Sequence, residues 1–417
     1  MIVFKEFRLK NGLHVIVHED PTVQIAVMNI LYDVGSRDEQ EEKTGFAHLF
    51  EHLMFGGSVN IPNYDEPLQM VGGENNAFTN TDITNYYLTV PAANIETAFW
   101  LESDRMLSLS FDPKVLDVQR KVVVEEFKQR YYNQPYGDVW LKLRPLAYKQ
   151  HPYKWATIGK EISHIENATD ADVKEFFFKH YVPSNAILVV AGNVTEEQVR
   201  SLAEKWFGSI PPGKKPARNL VKETAQTAKR IEETKAKVPA NALYKTYHMG
   251  GRFEKSYYAA DLLSDILSRG QSSRLYHKLV KELEIFTSIS SFVMGTIDPG
   301  LLVISGRVKD GISLEEAELE IDKILHDIVT NGVTEEELEK VKNQAMATVE
   351  FGEVEVINRA MALAFAALSG NTNLVNTEKA ELSAVTRDDI HEAAKTILRD
   401  ENSSVLYYRS AMQELQT

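Results

Sequence analysis

Gly45-Phe46-Ala47-His48-Leu49-Phe50-Glu51-His52-Leu53-Met54 spells a helix that is apolar on most sides yet carries two imidazoles and a carboxylate together. At about 100° per residue, Glu51 lies about 60° to one side of His48 and His52 about 40° to the other. All three side chains therefore point into one site. His48 and His52 stand one helical turn apart, the spacing of two ligands to one zinc ion, and Glu51 has the place of a general base. The order H-x-x-E-H is the reverse of H-E-x-x-H. Thr44 and Gly45 announce the helix, Phe46, Leu49, Phe50, Leu53, Met54 and Phe55 surround the polar trio, and Gly56-Gly57 ends it. So apolar a helix is expected to be buried. A carboxylate and two imidazoles buried without partners are costly, and a divalent cation satisfies all three.

Upstream, Phe7 and Leu9, the Asn11-Gly12 turn, then Leu13, Val15 and Val17 read as an opening β-hairpin. Val23 to Tyr32 reads as a strand feeding the Gly35-Ser36-Arg37-Asp38 loop. Downstream, the second half of the chain weakly repeats the first. Ala259-Ala260-Asp261-Leu262-Leu263-Ser264-Asp265-Ile266-Leu267 matches Phe46 to Met54, and Gly270 matches Gly57. Lys114-Val115-Leu116-Asp117 matches Glu336-Glu337-Leu338-Glu339. Thr169, Asp172 and Val173 match Thr386, Asp389 and Ile390, each set an N-cap and helix start. Terminal strands follow at Ala186 to Ala191 and Ser404 to Tyr408. The expected fold is α+β: two homologous mixed α/β domains, each a sheet flanked by helices, over residues 1–212 and 239–417. Between them, Pro211-Pro212-Gly213-Lys214-Lys215-Pro216 and the Lys/Thr/Glu-rich stretch up to Pro239 read as an exposed linker, residues 213–238. In the second copy His48, Glu51 and His52 become Asp261, Ser264 and Asp265, so the chemistry belongs to the first.

With 417 residues, 43% hydrophobic and 25% charged, the chain has length for two or three globular domains. Its formal net charge of −14 argues against nucleic acid, whose recognition needs a basic face. It has no cysteine, so neither disulfides nor a thiolate metal site can form, and a metal must be held by His and carboxylate. No stretch of about 18 apolar residues predicts a membrane span. Met1-Ile2-Val3-Phe4-Lys5-Glu6 runs straight into a strand pattern without a basic and then apolar leader. The expected location is cytoplasmic, or periplasmic if a leader was removed.

Catalytic zinc takes three protein ligands and leaves a position for water. His14 and His18 sit in the first hairpin, and His164 and His180 flank helix ends, so a carboxylate is the better source of the third. Asp112-Pro113 starts a helix running from Val115 to Tyr131. On it Val115, Gln119, Val122 and Glu126 share a stripe at helical spacing, which turns Glu126 the same way as the apolar valines and Glu125 toward solvent. In the second copy Glu126 falls on Thr348.

With these residues in place the chain resembles the pitrilysin/insulinase family of inverted-motif zinc peptidases, in the shorter two-domain branch similar to mitochondrial processing peptidase beta-type subunits. The resemblance rests on Gly35-Ser36-Arg37, on Gly45 to His52, on Gly72-Gly73-Glu74-Asn75-Asn76-Ala77, and on Gln119-Arg120-Lys121-Val122-Val123-Val124-Glu125-Glu126. It implies that His48, His52 and Glu126 hold Zn2+ and that Glu51 is the catalytic base. The family often has a further Glu seven residues before the ligand Glu; here Gln119 stands there, outside the ligand set, and removes one negative charge.

The resemblance also implies a zinc endopeptidase acting on unfolded peptides. The segment around Asn76, Ala77 and Phe78 would serve as a sheet edge that pairs with an extended substrate. Tyr86 and Tyr87 in the next strand read as core. Family members carry an Arg/Tyr pair in the second half that holds substrate. The corresponding stretch here offers Lys281 and Phe286, and the nearby Arg274 reads as structural. That departure implies a heterodimer whose related, zinc-less partner supplies the pair, or else a homodimer, each subunit forming half of a clam-shell chamber. Two rivals stand beside this reading. One is a non-catalytic structural or assembly subunit, which would bind zinc and cleave nothing. The other is a peptide-binding module with a structural zinc, for which Glu51 would be dispensable.

Overall fold

The computed structural model describes residues 1–412. Its first sheet has six strands: β1 (Lys5–Arg8), β2 (His14–Glu19), β3 (Ile25–Tyr32), β4 (Glu74–Thr79), β5 (Thr84–Pro91) and β6 (Ala186–Gly192). They lie in the order β1-β2-β6-β3-β5-β4, with β2 and β6 parallel and the other neighbours antiparallel. β1 and β2 form the expected hairpin, and Gly12 at φ +90° makes its turn. β3 and β6 are buried almost throughout, which is why both read as continuous apolar runs. β4 is an edge strand whose residues are alternately exposed and half-buried, in keeping with its polar sequence.

The second sheet holds β7 (Arg230–Ala236), β8 (Ala242–His248), β9 (Phe286–Met294), β10 (Leu301–Val308) and β11 (Ser403–Ser410), in the order β7-β11-β8-β10-β9. Strand for strand this repeats β2-β6-β3-β5-β4, down to the single parallel pair, β7 with β11. The helices that matter to the site repeat as well. α1 (Phe46–Leu53), α2 (Pro113–Phe127) and α3 (Asp170–His180) belong to the first copy, and α4 (Ser256–Ser268) and α5 (Arg387–Ile397) match α1 and α3. The matched caps are capping boxes of the same design: Thr169 with Asp172, and Thr386 with Asp389. The chain is therefore a duplicated mixed α/β protein.

Its compact units cut the chain differently from a linear division. One comprises Met1–Phe127, Trp155–Leu220 and Glu350–Thr377; the other comprises Lys128–Lys154, Val221–Val349 and the chain from Glu378 onward. The helix Val356–Leu368 lays Ala360, Leu363 and Ala364 on Ile16, Val27, Leu31 and Val189 of the first sheet. Conversely, the helix Val139–Ala147 packs Val139, Leu143 and Leu146 against Ala242, Tyr244, Leu406 and Tyr408 of the second. Each sheet is thus covered by a helix from the other repeat, because an apolar helix goes wherever an apolar sheet face needs covering. Truncating Leu363 to Ala would cost about 2–5 kcal/mol.

The stretch 213–238 also departs from an exposed tether. Lys215 and Arg218 each approach Asp33 at 3.0 Å, and Arg218 reaches Asp38 at 2.7 Å. The basic residues are there because the carboxylates of buried Asp33 and half-buried Asp38 need cations. Further on, Arg230–Ala236 is β7, whose alternately exposed charged residues made a strand look like linker. Among the described residues no helix is long and apolar enough to cross a membrane.

Candidate metal centre

Gly45 turns the chain into α1 at φ +88°, and a Cβ there would come within 2.7 Å of the Ile158 carbonyl oxygen. Thr44, beside it, is occupied elsewhere, its hydroxyl accepting the Lys160 backbone N–H at 2.7 Å. The capping of α1 comes instead from Glu39, whose buried carboxylate accepts the N–H groups of Gly45 and Ala47 at 3.0 and 2.9 Å. One turn on, the Tyr86 hydroxyl donates to the Phe50 carbonyl at 3.0 Å and ties the helix to β5. Beneath, the Arg105 guanidinium lies 4.5 and 4.4 Å from the Tyr64 and Tyr86 ring centres and pairs with buried Glu102. The helix that carries the candidate ligands is fixed at both its start and its floor.

On that helix the imidazoles of His48 and His52 stand with ring centres 5.0 Å apart and planes nearly perpendicular. Glu126, in the last turn of α2, brings a carboxylate oxygen to 3.6 Å from His48 Nε2 and 3.4 Å from His52 Nε2. One ligand atom from each of the three lies within 4.8 Å of the others. A tetrahedral zinc with ligand bonds of about 2.0–2.1 Å spaces its ligand atoms about 3.4 Å apart. The carboxylate separations fit that shell, and two nitrogens with one oxygen are a donor set zinc accepts. His48 is buried, while His52 and Glu126 keep 26% and 18% of their side-chain surface exposed. The trio therefore opens to solvent on one side, as a site that must admit water and substrate requires.

Glu51 lies on the same helix face, half-buried, and its charge reaches the buried Tyr86 and Tyr181 phenols, whose pKa values are raised first by burial. Gln119 is half-buried two turns before Glu126 and lies outside the trio. The buried face of α2 is not the stripe of Val115, Gln119, Val122 and Glu126 expected from the sequence. Val122 is 41% exposed, and the buried face consists of Leu116, Val123, Val124 and Phe127. Glu126 sits at the border of that face, where the helix meets the open side of the site. On β4, Asn76 and Phe78 are exposed and Ala77 half-buried; Tyr86 is core, while Tyr87 is only half-buried. Sequence reasoning missed Glu39. Its one signal was a carboxylate shortly before a helix that lacks an N-cap side chain.

The second copy shows what replaces the trio. Burial, with Asp265 alongside, pushes the Asp261 carboxyl up to about 6. The Arg269 guanidinium bonds Asp265 at 2.7 Å and the Thr348 hydroxyl at 2.6 Å, bridging the counterparts of His52 and Glu126 with a built-in cation. Phe286 is fully buried and cannot contact substrate. Arg274 is tied to Glu337 and Asp327 at 2.6 and 2.9 Å, as a structural residue should be.

Fold and trio together define a zinc metallopeptidase with the inverted motif on its first domain. The family model described as Insulinase (Peptidase family M16) matches residues 14–160, and that described as Peptidase M16 inactive domain matches residues 167–345. The zinc protease PqqE of Helicobacter pylori is 32% identical over 340 residues, covering 80% of this chain and 76% of that protein. The crystal structure of a protease from Helicobacter pylori is similar at TM-score 0.92 and 27% identity, over 98% of this chain and 100% of that one. The periplasmic protease PqqL from Escherichia coli shares the fold at TM-score 0.81 and 17% identity, over 99% of this chain but 48% of that one. The chain belongs to the insulinase family of zinc peptidases, M16.

Proposed function

We propose that this chain is the metal-bearing catalytic subunit of a two-subunit zinc endopeptidase that cleaves unfolded peptides or short polypeptides. The observation that carries the reading is the convergence of His48, His52 and Glu126 within 4.8 Å of one another, with Glu51 on the same face of the helix. In this reading those three residues hold the metal and Glu51 is the base. When bound, zinc supplies Lewis acidity to a substrate carbonyl and to a water molecule. Glu51 takes the proton of that water as its oxygen attacks the carbonyl carbon, and passes it to the amide nitrogen as the C–N bond breaks. Glu39 and Tyr86 keep α1 in place, so the base and two ligands hold their mutual geometry while the substrate arrives.

The open edge of β4 supports an extended substrate. The Ala77 N–H is taken by the side-chain oxygen of Asn76 at 2.8 Å, a local bond that an incoming strand would replace. Phe78 beside it leaves a ring available for contact. Main-chain pairing of this kind favours unfolded peptides and makes side-chain selectivity loose. Two features support a partner subunit: the second copy lacks an Arg/Tyr pair over Leu279 to Thr287, and one chain covers about half of PqqL, 48%. A cytoplasmic location is part of the same proposal, and cell fractionation tests it.

The test is digestion of a mixed peptide library followed by mass spectrometry, with and without chelator, and with and without the product of a neighbouring related gene. Chelator-sensitive cleavage that rises with the partner is expected. Equal cleavage by the isolated chain would remove the partner from the proposal. Stoichiometric zinc with no cleavage under any condition would make the chain a structural subunit.

A further inference from the structure

The duplication makes one half of the chain a template for reading the other. In the first unit, the connection from β3 to α1 runs from Asp33 to Gly45 and folds over α3. Lys43 pairs with Asp172 at 2.6 Å, and Phe46 packs on Phe176 with ring centres 5.8 Å apart. Only about 50 Å³ of pocket remains there, walled on α3 by Asp172, Glu175, Phe176 and Lys179.

In the second unit the connection from β8 to α4 is shorter, Met249 to Lys255. Among the described residues it leaves the matching face of α5 bare. What remains is a cavity of about 710 Å³. Its α5 wall includes Asp389, Glu392, Ala393 and Thr396, the counterparts of the same four residues of α3. Ala259 and Ala393 stand where the first copy has Phe46 and Phe176, so two aromatic rings' worth of apolar space is open. The volume is that of a ligand site. Its carboxylates, Glu223, Glu381, Asp389 and Glu392, outnumber its cations, Lys255 and Arg399.

We propose that this cavity docks a short extended segment of the peptide substrate, with an apolar side chain against Ala259 and Ala393 and a neighbouring basic side chain toward Glu381, Asp389 and Glu392. That occupant is the one the first copy supplies from its own chain with Phe46 and Lys43. The inference rests on the peptidase reading only for the source of the segment.

The probe is a short fluorescein-labelled peptide with one Lys-Ala-Phe sequence in a Gly/Ser background, titrated by anisotropy into zinc-loaded Glu51→Gln protein so that it is not consumed. Adding Ala393→Trp, which fills the cavity, is expected to weaken binding at least about tenfold. The pair Glu381→Gln and Glu392→Gln should weaken it about three- to tenfold, as should replacing the probe's Lys with Gln. Zinc content stays unchanged in all of them. The proposal is overturned if Ala393→Trp protein binds the probe as tightly, or if the Lys and Gln probes bind alike. It is also overturned if Ala393→Trp abolishes a self-association seen by sedimentation, since the occupant would then be a second copy of the chain. Should Ala393→Trp lose its far-UV circular dichroism, the two exposed Gln substitutions decide by the same criterion. Probe binding without any peptide cleavage by the zinc-loaded, unmutated protein, alone or with the product of the neighbouring related gene, would refute the peptidase reading and leave the docking site standing.

Discussion

The carboxylate of Glu39 accepts the N–H of Ala47, the residue before the first candidate ligand, at 2.9 Å. The start of a helix leaves N–H groups without partners, and here a side chain from outside the helix takes two of them. Burial pushes the Glu39 carboxyl up to about 8, against the pull of those amides. Glu39→Ala should therefore orphan two buried donors and cost about 1–3 kcal/mol in denaturant unfolding. It should also weaken zinc binding in competition with a chelator. Glu39→Gln, which keeps an acceptor oxygen, should lose less of both. Equal zinc affinity in the Ala variant and the parent would show that the cap does not position the ligands.

Glu126 approaches the two imidazoles from a different helix, so binding a metal there joins α2 to α1. A ligand that binds only the folded state stabilises it by about 4 kcal/mol at a thousandfold excess over Kd. Zinc should thus raise the melting temperature of the parent protein, and Glu126→Ala should abolish that rise along with the bound metal. A Glu126→Ala protein that still carries one zinc per chain would remove this residue from the ligand set.

Glu51 has a different role from its neighbours, and its variant should show it. Glu51→Gln should keep the metal and lose at least about a hundredfold in kcat, the usual scale for a proton-transfer group. Metal analysis and peptide turnover on the same preparation separate the two effects. Near-parental turnover would reassign the base.

What could be read without coordinates follows the range of each interaction. The ligand pair and the base lie within one helical turn, where a period of about 3.6 residues suffices. The α2 stripe gave the orientation of Glu126 but misjudged Val122, because periodicity cannot tell a buried face from one that opens onto a site. Glu39 stayed hidden because nothing local says that the loop before α1 folds its carboxylate back onto the N–H groups of Gly45 and Ala47. The exchange of the helices Val139–Ala147 and Val356–Leu368 was illegible for the same reason: each is apolar, and nothing local says which sheet it covers. β7 was lost in a charged stretch because an edge strand needs only one face covered.

The free edge of β4 makes a backbone prediction. Since the Ala77 N–H is bonded to its neighbour's side chain, Ala77→Pro removes a donor from the open edge and spares the ladder to β5. One hydrogen bond of about 0.5–1.5 kcal/mol corresponds to a loss of about two- to tenfold in kcat/KM, carried mostly by KM. Zinc content and unfolding midpoint should hold. A Pro variant with unchanged KM would move substrate binding away from this strand.

His180 closes α3 in a buried position where neither ring nitrogen has a hydrogen-bond partner. Burial pushes its imidazole down to about 4 from an ordinary 6.5. Between those values the unfolded chain binds the proton and the folded chain does not, so the stability this residue contributes is intact above about pH 6.5 and drains away as pH falls toward 4. From pH 7 to pH 5 the loss should be about 2 kcal/mol. Urea unfolding of the parent and of His180→Phe at the two pH values isolates it: the parent should lose that much more than the variant. Identical pH slopes would mean that His180 is protonated within the fold, and that the acid sensitivity of this protein lies elsewhere.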